Sequence, residues 1–443
     1  MAEAFEKPLV VGGEPSPSAL DPSEETQSNA NRIKRAEWPD RPPSSKAMVP
    51  GTLANFEYLA RKHEITFKFN RVKKRVDIEI PGIRTEAKNR DDILLTRLES
   101  LAIQHQMPPT KVRNYITVIG DEVTYDPFAD WIDGKSWDGT SRVGEICATI
   151  VPEDDYSTQM RDTLVRKWLL SIVAATYLNS GFRARGVLTL QGGQGIGKTS
   201  WFASLVTPPE LREDAVKLGF SWDGGQKDAR LMALRHRIVE LGELEGSFRK
   251  EIASLKAFIT ETTDKIRPPY ARVESEYPRS TIFGASVNDR QFLLDTTGNS
   301  RFWTIAVKEI DYQHDIDMQQ VFAELKVAFE QKEQWWLDDA EEAAMSKINE
   351  QHRVVGAIEA KIEAALDVDL MGSEGLPRLT ASQVLEAIGT RNPTNPQSKE
   401  ANVTLRRLLG EPSKIRGLYK WYVPWRAEFD GGTWIEARED KFD

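Results

Sequence analysis

The stretch Gly192-Gly-Gln-Gly-Ile-Gly-Lys-Thr199 carries the most specific chemistry in this chain. It fits the pattern G-x-x-x-x-G-K-[ST], in which glycines let backbone N–H groups converge on a polyphosphate. In that pattern Lys198 supplies a point charge to the β/γ oxygens, and the Thr199 hydroxyl ligates Mg²⁺. The expected ATP-binding residues are Gly192, Gly193, Gln194, Gly195, Ile196, Gly197, Lys198, Thr199 and Ser200. The alternative is a Gly-rich turn that happens to carry a lysine, and the flanks argue against it. Gly186–Gln191 is a short apolar run that reads as a strand entering the loop, and Ser200–Val206 reads as the helix leaving it.

Kinases, GTPases, transporters and motors all use such a loop, so the downstream residues must narrow the class. Arg237–Leu241 reads as a second strand, with Glu240 and Glu243 three apart at its carboxyl edge, where ligands sit in open α/β sheets. One carboxylate can hold Mg²⁺ through water, with Glu240 the expected companion of Thr199, and the other can polarise the attacking water. A pair of surface glutamates is the competing explanation. Ser280–Ser286 reads as a third strand leading to Asn288, whose amide could orient the lytic water. Arg301 follows on a Gly-containing turn. No N-K-x-D base-recognition motif is present, which counts against a GTPase. His63, His105, His236, His314 and His352 show no metal-ligand spacing and read as surface or packing residues.

These residues need a scaffold, and the surrounding pattern predicts an α/β fold. Phe302–Val307 reads as a fourth strand, while Arg161–Asn179, Lys227–Leu234 and Ser247–Thr260 read as helices. Strands alternating with helices imply a P-loop ATPase core over 151–312, a parallel sheet with helices on both faces. A small α-rich N-terminal domain is expected over 46–150, including a basic hairpin in which Ile65–Phe69 and Val76–Ile80 flank Asn70–Arg75. Residues 1–45 are rich in Pro, Ser, Glu and Asn and are expected to be a disordered tail, with Trp38 in a solvated or docking segment. A charged helical extension covers 313–370, anchored by Trp335 and Trp336. In 371–443, helices Ala381–Ile388 and Ala401–Leu409 precede the aromatic strand Leu418–Val423, a winged-helix-like order. Arg406 and Arg407 then fall on the helix that would meet duplex DNA; a solvated helix face is the alternative.

With 443 residues, 40% hydrophobic and 29% charged, the composition is that of a soluble multidomain protein. A net charge of −9 argues against wholesale adsorption to nucleic acid but leaves room for a local basic channel. The lone Cys147 excludes an internal disulfide and fits a reducing bacterial cytoplasm. The apolar run Trp168–Leu178 falls short of the ~20 residues of a membrane span, so no membrane partner is expected.

Beyond the loop, motifs recur in a telling order: Ile238-Val-Glu-Leu-Gly-Glu-Leu244, Leu255-Lys-Ala-Phe-Ile-Thr260, Asp264-Lys-Ile-Arg-Pro-Pro-Tyr-Ala-Arg272, Ser286-Val-Asn288 and Thr297-Gly-Asn-Ser-Arg-Phe-Trp303. Together they resemble the virulence-associated protein E family of phage- and island-encoded replication proteins, related to superfamily III helicases. The resemblance spans roughly residues 120 to 360. It departs at Ser300, where the family carries a second arginine before Phe-Trp. It implies a ring, usually a hexamer, with ATP and Mg²⁺ between subunits and Arg301 reaching into a neighbour's site. It also implies that Lys265, Arg267, Tyr270 and Arg272 lie on a loop facing single-stranded DNA, although Arg267 and Arg272 suit a nucleotide or a neighbouring subunit as well. The expected function is an ATP-dependent replicative DNA helicase. The alternative is an ATP-regulated origin-binding protein acting on duplex DNA.

Overall fold

The computed structural model describes residues 32–429 apart from 84–88, 179, 223–226, 243–248, 267–274, 294–298, 354 and 428. The chain forms two compact units, one of Met1–Asn288 with Trp303–Asp338 and the other of Asp289–Phe302 with Asp339–Asp443.

The first unit begins with an apolar cluster that gathers Phe56 and Leu59 from helix Leu53–Lys62, Leu94 and Leu98 from helix Arg90–Gln104, and Ile116 from helix Val112–Glu122. These positions recur at helical spacing, which gives each helix one face to bury. Strands β1 (Thr66–Asn70) and β2 (Arg75–Glu79) form the expected hairpin, pairing Thr66 with Glu79 and Asn70 with Arg75. A short β3 (Thr124–Tyr125) adds parallel to β1. Trp38 corrects the expected tail boundary: it is buried in this cluster, tilted against Tyr58 at 5.9 Å. Arg35 donates to the Ser44 carbonyl at 2.8 Å and so folds its segment back on itself. A polar, Pro-rich window average hides a single aromatic anchor.

The central sheet has six strands in the order β4-β11-β5-β10-β7-β6. They are β4 (Ile150–Pro152), β5 (Val187–Gln191), β6 (Val216–Phe220), β7 (Ile238–Leu241), β10 (Ile282–Val287) and β11 (Phe302–Ile310), with the hairpin β8 (Thr263–Ile266) and β9 (Ser275–Pro278) between β7 and β10 in sequence. Strands β5, β10, β7 and β6 run parallel, and every residue of β5, β7 and β10 is buried, the near-continuous apolar run expected of parallel strands. The sheet is not wholly parallel, however, because β4 joins β11 antiparallel at the edge. Helix Thr158–Tyr177 packs on the sheet, its Trp168 Nε1 donating to the Phe283 carbonyl at 2.8 Å. Trp201 and Phe202, from the helix after the glycine loop, are likewise fully buried.

Helices Asp339–Gln351, Ala357–Ala365, Ala381–Ala387 and Asn395–Leu409 belong to the second unit. Its sheet has the order β12-β14-β13, from β12 (Arg378–Leu379), β13 (Ser413–Ile415) and β14 (Leu418–Tyr422). Ile362, Val384, Leu385, Leu405 and Trp421 close a separate core. Thr380 and Thr394 each open a helix with a capping box, which fixes where those helices start.

Candidate active site

The loop between β5 and helix Lys198–Ser204 needs its glycines for two reasons. Gly195 and Gly197 sit at φ +83° and +92°, where a side chain is strained. A Cβ on Gly192 would overlap the Val307 carbonyl, and one on Gly197 would overlap the Tyr312 ring. Gly192 N donates to the Val287 carbonyl at 3.1 Å, tying the loop to the end of β10.

Lys198 is buried, and its Nζ donates to the carbonyls of Gly192 and Gly193 at 2.8 and 2.7 Å and to Asn288 Oδ1 at 3.0 Å. Asn288 follows β10 directly, and its own carbonyl accepts from Gln191 Nε2 at 3.3 Å. Thr199 Oγ1 donates to Glu240 Oε1 at 3.3 Å and lies at the same distance from Ser286 Oγ. Glu240 is fully buried in β7, and its Oε2 accepts from the Gly219 N–H of β6 at 2.6 Å. Four adjacent parallel strands thus deliver one loop, one carboxylate, one hydroxyl and one amide to the same carboxyl edge.

Ser286, Gly219 and Tyr312 join this group unforeseen. The parallel register pairs Gly284 with Glu240, so Ser286 follows two residues on, towards the same carboxyl edge. Two-residue periodicity within β10 gives no hint of that neighbour. Ser204 Oγ bonds His314 Nε2 at 3.0 Å, holding the segment after β11 against the loop's helix, and burial lowers the His314 pKa.

The other expected residues lie elsewhere. Glu243, Arg267, Tyr270 and Arg272 fall outside the described residues. Lys265 is exposed on β8, paired with Glu276 of β9 at 2.7 Å. Arg301 ends a 3-10 turn of the second unit, Asn299–Arg301, which Asn349 Nδ2 holds through the Asn299 and Phe302 carbonyls at 2.8 and 2.9 Å. Arg407 does not point freely into solvent: its Nη2 donates to Glu359 at 2.6 Å and also to Glu363. Arg406 is more exposed and lies 3.6 Å from Glu411. Among the described residues no group of three or more His, Cys, Asp or Glu could cage a metal, and no helix is long and apolar enough to cross a membrane.

The fold and site define a mixed α/β protein with a glycine loop and a buried carboxylate at the carboxyl edge of parallel strands. The model of the virulence-associated protein E-like domain matches residues 132–354, just over half of the chain, which therefore belongs to that family. No curated protein matches. Among solved structures, the apo NrS-1 C-terminal region is similar at 14% identity and a TM-score of 0.41, covering 83% of this chain and 98% of that one. Its A-form apo structures give TM-scores of 0.40 and 0.42 at the same identity.

Proposed function

We propose that this chain is a magnesium-dependent ATPase that works as a replicative DNA helicase of a phage or mobile element. The observation that carries the reading is the convergence of Lys198, Thr199, Glu240 and Asn288 on one sheet edge around a glycine loop. Entering phosphate oxygens would take over the Lys198 ammonium from the loop carbonyls, while loop N–H groups bind the remaining oxygens. Hydroxyl and carboxylate oxygens suit Mg²⁺, which keeps several waters and needs one or two protein ligands beside the phosphates. Thr199 and Glu240 are the residues that would hold it, and the ion would supply charge neutralisation at the transferring phosphoryl group. Asn288, already within reach of Lys198, would position the attacking water, with Glu243 as a second carboxylate after the strand.

Family membership supports a role in replication, a ring of subunits that works on DNA, and Arg301 donated across a subunit boundary. Single-stranded DNA would meet Lys265 of β8 together with Arg267, Tyr270 and Arg272, which follow it in sequence. The alternative, a duplex-binding regulator reading origin DNA through Arg406 and Arg407, is weakened by the carboxylates that engage Arg407. The deciding assay is ATP hydrolysis with and without single-stranded DNA, run beside displacement of a labelled strand. Stimulated hydrolysis with displacement supports the motor; unstimulated hydrolysis without displacement removes it and leaves the regulator.

A further inference from the structure

Tyr312 is a large ring at the glycine loop that the chemistry above leaves unused. It is the second residue after β11, and the Cγ–Cδ1–Cε1 edge of its ring lies where a Cβ on Gly197 would go. The residue is 39% exposed, and among the described residues no ring, cation or hydrogen-bonding group engages its side chain. The backbone that carries it is pinned on both sides. Asp311 N–H donates to the Thr149 carbonyl at 2.8 Å, and the Thr149 hydroxyl accepts from Trp201 Nε1, on the helix after the loop, at 2.8 Å. Gln313 N–H donates to Asp311 Oδ1 at 3.2 Å, closing a turn around Tyr312, and His314 reaches Ser204 of the same helix at 3.0 Å. Only two side-chain torsions remain to the ring, so ordering it against a ligand costs little entropy.

We propose that Tyr312 is the platform on which the base of the bound nucleoside triphosphate stacks. The proposal rests on the reading of the glycine loop as an ATP site, and it names the residue that tells a nucleotide from bare phosphate there. Sheet order decides which part of the ligand the ring meets. β10 and β11 flank β5 on opposite sides. Asn288 follows β10 and Glu240 lies on β7 beyond it, so the phosphoryl and magnesium end belongs to that side of the loop. Tyr312 comes from the β11 side, where the sugar and base leave. Charge agrees with that direction. Asp311 and Asp315, both exposed, bracket the ring in sequence. Carboxylates there repel phosphate, which leaves the uncharged base as the fitting partner, and every base offers a π face to a ring. Packing alone is a weaker account. A ring that served only to fill space at Gly197 would be buried, as Trp201 and Phe202 are.

The test is calorimetric titration of the full chain with two probes in the presence of Mg²⁺, the non-hydrolysable β,γ-imido analogue of ATP and inorganic tripolyphosphate. The two share a phosphate chain and differ by the nucleoside. Tyr312→Ala should weaken the nucleotide roughly tenfold and leave tripolyphosphate little changed. Tyr312→Leu keeps bulk against Gly197 while removing the aromatic ring, so it should show the same selective loss in a protein whose thermal melt matches wild type. Tyr312→Phe keeps the ring and should hold the nucleotide within about twofold of wild type. Equal losses of both probes in Tyr312→Ala and Tyr312→Leu overturn the proposal by making the ring a brace for the loop. Unchanged nucleotide affinity in both variants overturns it as well. A wild type that binds tripolyphosphate as tightly as the nucleotide removes the base platform and spares the phosphate loop. A wild type that binds neither probe removes the nucleotide reading itself, and the platform with it.

Discussion

Glu240 is the residue whose environment says most about its work. It is buried, yet both oxygens accept hydrogen bonds, one from the Thr199 hydroxyl and one from the Gly219 amide. Glu240→Gln keeps the shape but turns an NH₂ group towards one of those donors. The buried donor left unsatisfied should cost about 1–3 kcal/mol of stability, read by urea unfolding. If the carboxylate helps to hold Mg²⁺, magnesium-dependent hydrolysis should fall roughly a hundredfold or more. Wild-type turnover with lowered stability would make Glu240 a brace for Gly219 and nothing more. Lys198 and Thr199 are legible in the sequence from the glycine-loop pattern, and Glu240 and Asn288 because each lies at or next to a strand end, where strands of one parallel sheet meet at one edge. Ser286 and Gly219 were not, since their contacts depend on how β10 and β6 align beside β7.

At the scale of elements, the N-terminal hairpin is wired into the neighbourhood of β8–β9. Phe69 stacks on Tyr277 at 5.8 Å, and Lys73 pairs with Asp214 at 2.6 Å. Lys74 is buried, with Nζ donating to the Leu234 carbonyl and 4.0 Å from Asp264, which Arg279 also holds at 2.7 Å. Burial pulls the Lys74 pKa down from 10.5 to about 8, against the pull of Asp264. Between those two values the unfolded chain binds the proton more tightly than the folded one, so this group makes stability rise with pH across that window. The rise should reach at most about 3 kcal/mol and vanish in Lys74→Met. Urea unfolding of both proteins near each end of the window checks it; parallel pH profiles would show that Lys74 titrates normally. The long elements here were readable from the sequence, because β5, β7 and β10 are apolar on both faces and the long helices repeat at regular spacing. β4 has three residues, and β6 contains Lys217 and a left-handed Gly219, so neither carries a strand signal. Helices Pro127–Asp133, Val143–Ala148 and Pro209–Ala215 are too short to establish a period.

The whole molecule is two units with the expected catalytic residues divided between them, Lys198 in the first and Arg301 in the second. If Arg301 serves a neighbour's nucleotide, inactive Lys198→Ala and Arg301→Ala proteins should regain part of their hydrolysis when mixed, since one mixed boundary pairs an intact loop with an intact arginine. No recovery at any ratio, with subunit exchange verified, would place the arginine's action within its own chain. The glycine loop carries the proposed chemistry, and its lysine offers the most direct test. ATP hydrolysis by wild type and Lys198→Ala should be measured at saturating Mg²⁺, with thermal melts confirming that both are folded. The lysine's proposed role requires a loss of roughly a hundredfold or more at a comparable melting temperature. Equal turnover by the two folded proteins would contradict it.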